Sequence, residues 1–281
     1  MKYIIFYNEC LRSKIIYSDF LKKNKKDIRC VIQLPVNINK KNRFFLIKKG
    51  IFNKNAYSYI LYQFFQTILY NIFSFLFFSN IKSICKKYKI LHKKINQFPN
   101  KNRIKKIIEN YKKEDIIFIS TTYILKHRDL MLKNLILNLH EADPTKYKGS
   151  AIYFRLANDR AKYMQTAIIE PNQNIDSGRV VMLSNKKLIK NLSVFKIIIL
   201  GYKTQSNLLE KIKKLRNKKN YPNIKDNLKS KIYSFPSRKL EKEIKDKNIG
   251  LINIQDCFFI IYLSMINKIS KLYTKINFYL R

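Results

Sequence analysis

The chain has 281 residues, 46% of them hydrophobic and 14% aromatic, so it can bury a full core and is not a disordered polyelectrolyte. Five glycines and six prolines exclude collagen-like and linker-rich chains, and no repeat recurs at solenoid or propeller spacing. With 58 basic against 18 acidic residues the net charge is +40, a balance that ordinarily points to nucleic acid or an anionic membrane. The texture of the charge weakens that inference. Of the basic residues 47 are Lys and 11 are Arg, scattered from Lys2 to Lys275. Phosphate recognition that needs geometry favours the Arg fork, whereas Lys acts as an interchangeable point charge. Abundant Asn, Ile, Phe and Tyr favour compositional drift in an AT-rich coding background over a polyanion-binding surface, and both readings stay open. Cys10, Cys30, Cys85 and Cys257 lie far apart with no Cys-x-x-Cys pair, which argues against a disulfide framework or a zinc site. Cys10 and Cys30, on or beside predicted strands, are expected to be buried thiols. No signal-peptide pattern opens the chain, so the cytoplasm is the expected compartment.

In chain order, Tyr3–Tyr7 reads as a buried strand, Asn8–Asn24 as a short helix and Asp27–Leu34 as a second strand. That is a βαβ opening, the mark of a parallel sheet with helices over its faces. Residues 55–81 carry no charge and are strongly apolar, long enough to cross a bilayer. Apolar positions 61, 64, 65, 68, 69, 72, 73 and 76 nevertheless follow helical spacing, with Gln63, Gln66 and Asn71 off the stripe. A helix packed into the domain or lying at a membrane surface is the expectation. A basic stretch, Lys82–Lys94, precedes a polar-faced helix over Lys101–Lys113, then a third strand, Asp115–Ser120, and a helix around His127–Asn134. Leu135–His140 reads as another strand, Ala151–Asp159 as a helix, and Tyr163–Glu170 with Arg179–Leu183 as two closing strands joined through a Ser-Gly turn. Beyond 186 the composition shifts: a long basic helix over Asn191–Lys219, polar Asn220–Lys231, the element Tyr233-Ser234-Phe235-Pro236, and a final basic, aromatic helix from about Asp256 to Leu280. The predicted architecture is α/β, a Rossmann-like mostly parallel sheet with flanking helices, plus a helical C-terminal extension. The expected division is a catalytic domain over 1–186 and a basic extension over 187–281.

Chemistry concentrates at the end of the fourth predicted strand. Residues i and i+2 of a strand share a face, so Asn138 and His140 project side by side, at the carboxyl end where open α/β sheets place ligands. A carboxamide beside an imidazole suits polarisation of a carbonyl with proton transfer, and an Asp in the later Gly-containing turn is a candidate to orient the ring. The other histidines, His92 and His127, read as surface residues.

Asn138-Leu139-His140-Glu141-Ala142-Asp143-Pro144-Thr145-Lys146-Tyr147-Lys148-Gly149 resembles the signature N-x-H-x-S-L-L-P-x-Y-x-G of the 10-formyltetrahydrofolate-dependent formyltransferases, with Asn138, His140, Tyr147 and Gly149 in register. Asn174-Ile175-Asp176-Ser177-Gly178-Arg179-Val180-Val181 resembles the family's D-x-G-x-I-I segment, 36 residues beyond His140 as in the glycinamide-ribonucleotide branch. The resemblance covers about residues 1–186. It implies formyl transfer from 10-formyltetrahydrofolate to an amine, without a metal. Asn138 then stabilises the developing oxyanion, His140 assists proton transfer and Asp176 orients His140. Thr122, Tyr123, Ile124 and Leu125 match the segment whose backbone grips the pterin of the folate. Glu141, Asp143, Tyr147 and Gly149 form the loop facing the acceptor. Here the family's S-L-L-P is Ala142-Asp143-Pro144-Thr145, so the acidic pair Glu141 and Asp143 either contacts the acceptor or is solvated surface charge. Among the branches, sugar N-formyltransferases acting on an amino sugar carried on a nucleotide fit better than the methionyl-tRNA branch, whose C-terminal barrel is not predicted. The alternatives are a methionyl-tRNA formyltransferase-like enzyme and a non-catalytic nucleic-acid- or membrane-associated protein, with residues 55–81 as the peripheral contact.

Overall fold

The computed structural model describes residues 2–35, 67–76, 78–96, 101–119, 134–149, 152–172, 178–188, 192–212, 232–233 and 238–256, with scattered positions as far as 265. The sheet is built on strand β1 (Tyr3–Asn8), followed by helix α1 (Leu11–Lys23) and β2 (Ile28–Leu34). Helical residues 67–76 (α2) precede α3 (Ile81–Lys87), β3 (His92–Lys94), α4 (Lys101–Glu109), β4 (Ile116–Ile119) and β5 (Leu135–His140). Then come β6 (Lys148–Gly149), α5 (Ile152–Asn158), β7 (Tyr163–Pro171), β8 (Gly178–Lys187), α6 (Val194–Glu210), β9 (Ile232–Tyr233) and α7 (Arg238–Asp246).

Seven strands form one sheet in the order β3-β2-β1-β4-β5-β7-β8. Pairing is parallel from β3 through β5 and antiparallel from β5 to β7 and β8. The parallel strands are apolar on both faces, as expected when helices cover each side. Tyr3, Ile5, Tyr7, Leu137 and Leu139 face a large cluster with α1, α3, α5 and α6, whereas Ile4, Phe6, Ile117, Ile119 and Ile136 meet Ile104 and Ile108 of α4 on the other side. Each such side chain withdrawn from water stabilises the fold by about 1.5–3 kcal/mol. Helix α6 lies beyond residue 186, yet its buried face joins the same cluster and packs against α1 and β7. Gly201 makes that approach possible, since a Cβ there would come within 2.7 Å of the Met164 Cε.

Several expectations change. The stretch Lys82–Lys94 contains α3 and a short edge strand, whose exposed Lys93 and Lys94 blunt the edge. The helix expected over 191–219 is described as Val194–Glu210, and its sequence is mainly apolar rather than basic. Its basic continuation from 213 lies outside the described residues, as do 55–66, the expected helix around His127–Asn134 except Asn134 itself, and Asn220–Lys231. Helix α2 packs through Leu69, Tyr70, Phe73 and Ser74, so the periodic stripe is only partly buried: its Leu69 and Phe73 join the core, while its Ile72 is 46% exposed and its Leu76 56%. Its orientation is chosen by distant partners. The Tyr70 ring sits 5.4 Å from Phe195 and 6.4 Å from Tyr202, and the Lys14 ammonium donates to the Ser74 carbonyl at 3.0 Å. By length and composition the segment Thr67–Lys87 is apolar enough to cross a membrane, with 35% of its apolar window buried inside the protein. Cys30 and Cys85 are buried, but Cys10 is exposed because it caps α1 past the strand end.

Candidate active site

Along β5 the face of Ile136 continues into Asn138 and His140, while Leu137 and Leu139 point into the main core. Asn138 lies beside Ile119 of β4 and opposite Ile169 of β7, and His140 opposite Ala167. Both are nearly enclosed, 7% and 4% exposed. Two polar side chains thus interrupt an apolar face between the cluster under α4 and the small cluster of Ala167, Ile169 and Val180. None of the hydrogen bonds among the described residues uses the Asn138 carboxamide. A buried amide left in this way is a donor and acceptor set awaiting a ligand.

The imidazole is held from the following loop. His140 Nε2 lies 2.9 Å from the Tyr147 carbonyl oxygen. That oxygen only accepts, so Nε2 carries the proton and, in the neutral ring, Nδ1 bears the lone pair. Asp143 shapes the loop that delivers this carbonyl. Its Oδ1 accepts from the Thr145 N–H at 2.9 Å and the Thr145 hydroxyl at 2.7 Å, and its own carbonyl accepts from the N–H groups of Lys146 and Tyr147. An Asx turn of this kind is a local device that a short polar side chain supplies without any distant partner. The Tyr147 hydroxyl donates to Asp159 Oδ2 at 2.8 Å, fastening the loop to the end of α5. Gly149 takes φ 89°, in the left-handed region that a side chain disfavours, so the chain turns there into the β6–β9 pair.

The acidic pair expected at this loop is divided by the fold. Asp143 is buried and serves the turn, whereas Glu141 lies 3.4 Å from the Arg12 guanidinium, so neither is free surface charge. Glu141 also raises the Tyr153 hydroxyl well above its ordinary range, after burial, which is the larger cause. Asp176 falls within residues 173–177, outside the described residues; the hairpin that carries it is described on either side, through the Pro171–Gly178 pair. Thr122, Tyr123, Ile124 and Leu125 also lie outside the described residues, shortly after β4 ends at Ile119 beside Asn138. His127 is likewise outside. His92 is not a simple surface residue: it is half-buried at the start of β3, with Nε2 3.0 Å from the Tyr7 hydroxyl. Burial, then nearby Lys82, lowers its pKa. Sequence reasoning missed Arg12, which reaches the end of β5 from α1; no short-range pattern marks it. Among the described residues no group of three or more His, Cys, Asp or Glu side chains gathers as a metal site.

A mostly parallel sheet with an Asn–His pair at the carboxyl end of an inner strand defines the class: an α/β fold with its candidate site at the strand ends. No protein-family model matches the sequence, and no curated sequence matches it. The fold does match solved structures. An N-formyltransferase from Helicobacter canadensis, in complex with folinic acid and dTDP-3-aminofucose, superposes with a TM-score of 0.52 at 12% identity, over 90% of this chain and 84% of that one. A 4-N formyltransferase from Francisella tularensis gives 0.50 at 15% identity, over 83% and 76% of the two chains. Phosphoribosylglycinamide formyltransferase from Anaplasma phagocytophilum gives 0.50 at 11% identity, over 77% and 86%. The chain has the fold of the formyltransferases.

Proposed function

We propose that the protein transfers a formyl group from 10-formyltetrahydrofolate to an amine, and that the acceptor is an amino sugar carried on a nucleotide. The observation that carries this reading is the Asn138–His140 pair on one buried strand face, with the carboxamide in no hydrogen bond among the described residues and the imidazole Nε2 set against the Tyr147 carbonyl. The folate supplies an electrophilic formyl carbon. As the amine attacks that carbon, negative charge develops on the formyl oxygen, and the Asn138 amide N–H donates to it. His140 assists the transfer of the proton that the amine loses to the departing folate nitrogen. Asp176 charge-stabilises His140, as the sequence resemblance implies, and residues 122–125 hold the pterin. The Asx turn at Asp143 sets the Tyr147 carbonyl, while Glu141, Tyr147 and Gly149 frame the acceptor side. The fold shared with a structure that binds folinic acid and dTDP-3-aminofucose supports a sugar-nucleotide acceptor over an aminoacylated RNA.

The test offers the purified protein 10-formyltetrahydrofolate with amino-sugar nucleotides, glycinamide ribonucleotide and aminoacylated RNA, and follows tetrahydrofolate release with mass detection of the formylated amine. The expected result is turnover with an amino-sugar nucleotide that His140→Ala abolishes. No formylated amine from any acceptor, or the same turnover in His140→Ala, overturns the proposal.

A further inference from the structure

Arg12 occupies the first turn of α1, where a helix dipole disfavours a positive charge, and that turn holds no acidic residue to offset it. Its side chain crosses instead to the end of β5, 127 residues away in sequence. One guanidinium nitrogen donates to the Leu139 carbonyl at 3.0 Å, and the other lies 3.4 Å from Glu141 Oε1. The guanidinium carbon sits 6.0 Å from the centre of the Tyr202 ring, within cation–π range. The Arg12 and Glu141 side chains are only 23% and 26% exposed, so solvent screens the pair weakly. We propose that Arg12 is a positioning residue for His140, gripping the residue before it through a backbone carbonyl and the residue after it through a carboxylate.

The grip matters because the place of the His140 ring is set by the backbone on both sides of it. Its Nε2 must meet the Tyr147 carbonyl while the ring faces the amine, and both depend on where β5 ends and the loop begins. Leu139 turns into the main core, so its carbonyl and the Glu141 side chain define the backbone direction on either side of the imidazole. The planar guanidinium meets the two acceptors from separate nitrogens held in a fixed geometry; an ammonium on a flexible stem keeps the charge and loses that fixed geometry. Tyr202 comes from α6 and its ring meets edge-on that of Tyr153 of α5, centroids 6.3 Å apart, so through Tyr202 the guanidinium also couples the site to the helices behind the sheet. Arg12 touches neither donor nor acceptor in this account, and its effect passes through His140. The inference deepens the formyl-transfer reading and rests on His140 as its proton-transfer group.

The test compares full-length Arg12→Lys with the parent by steady-state kinetics, urea unfolding and two-bond ¹H–¹⁵N imidazole spectra, with only three histidines to assign. The expected result is kcat lowered about 10- to 100-fold at nearly unchanged donor KM. The His140 nitrogens shift toward a mixed tautomer while the His92 nitrogens stay in place. Glu141→Gln, which keeps the acceptor oxygen without its charge, gives a smaller change of the same kind. Parental kcat together with unshifted His140 resonances overturns the proposal, whatever happens to stability. If no amine is ever formylated, the formyl-transfer reading fails and the imidazole spectra still decide the role of Arg12. Should Arg12→Lys fold poorly, the His140 spectra and pH profile of Glu141→Gln decide: shifted in both supports the grip, parental in both sinks it.

Discussion

One asparagine sits at each end of β5, and the two are used in opposite ways. At the amino end the Asn134 amide donates to the carbonyls of Lys112 at 2.7 Å and Asp115 at 2.9 Å, tying the start of β5 to the start of β4. Asp115 is fully buried, accepts from the Lys2 N–H at 2.9 Å and is ion-paired with Arg29. The Asn134 amide nitrogen and Asp115 Oδ1 are spent on holding strands together. At the carboxyl end the Asn138 carboxamide serves no hydrogen bond among the described residues, and His140 Nε2 lies 2.9 Å from the Tyr147 carbonyl oxygen. The difference teaches where a parallel sheet places strength and reactivity. Internal hydrogen bonds lock the register at one end, so a nearly buried amide and imidazole are tolerated at the other.

The sharpest way to break this comparison is at the carboxyl end. His140→Ala is expected to lower formyl-transfer kcat by about 10²–10⁴ and Asn138→Ala by about 10²–10³, with urea midpoints near the parental value. A variant of either residue that lost its fold rather than its rate would place these side chains with the structural set. At the amino end the signs reverse. Asp115→Ala strands the partly exposed Arg29 and the Lys2 N–H, so unfolding free energy should fall by about 1.5–3 kcal/mol. Activity per folded molecule should persist, measured by kinetics below the urea transition. Asn134→Ala should follow with a loss of about 1–2 kcal/mol from its contacts to the backbone carbonyls of Lys112, Lys113 and Asp115. The smallest effect concerns His92. Burial and Lys82 hold its folded pKa below the unfolded value of about 6.5, so the neutral ring favours the fold. That contribution is complete above about pH 6.5 and is lost as pH falls toward the folded pKa. His92→Gln should flatten the decline of the urea midpoint between about pH 6.5 and 5, and an unaltered slope would remove His92 from the account.

Much of the frame was legible in the residues. Apolar runs such as Tyr-Ile-Ile-Phe-Tyr and Ile-Ile-Phe-Ile announce strands buried on both faces, and the structure sets them as β1 and β4 at the centre of the sheet. The edge strand His92–Lys94 was not legible, because two lysines and a histidine carry no strand pattern and pair only because β2 offers a free edge. Helical spacing marked α2, but not which of its faces would be buried. Several faces there are apolar, and aromatic rings on α6 make the choice.

By itself, therefore, the sequence determined that Asn138 and His140 share a face at a strand end, since the period of a strand is two and needs no partner to hold. It also determined the loop turn at Asp143, whose acceptor and donors lie within four residues. Only the tertiary structure decided what fixes the imidazole and what grips the strand around it. The Tyr147 carbonyl is placed by the path of a turn, and Arg12 arrives across 127 residues. Contacts of that kind are set by how helices settle on a sheet, a balance over the whole core that no local pattern encodes.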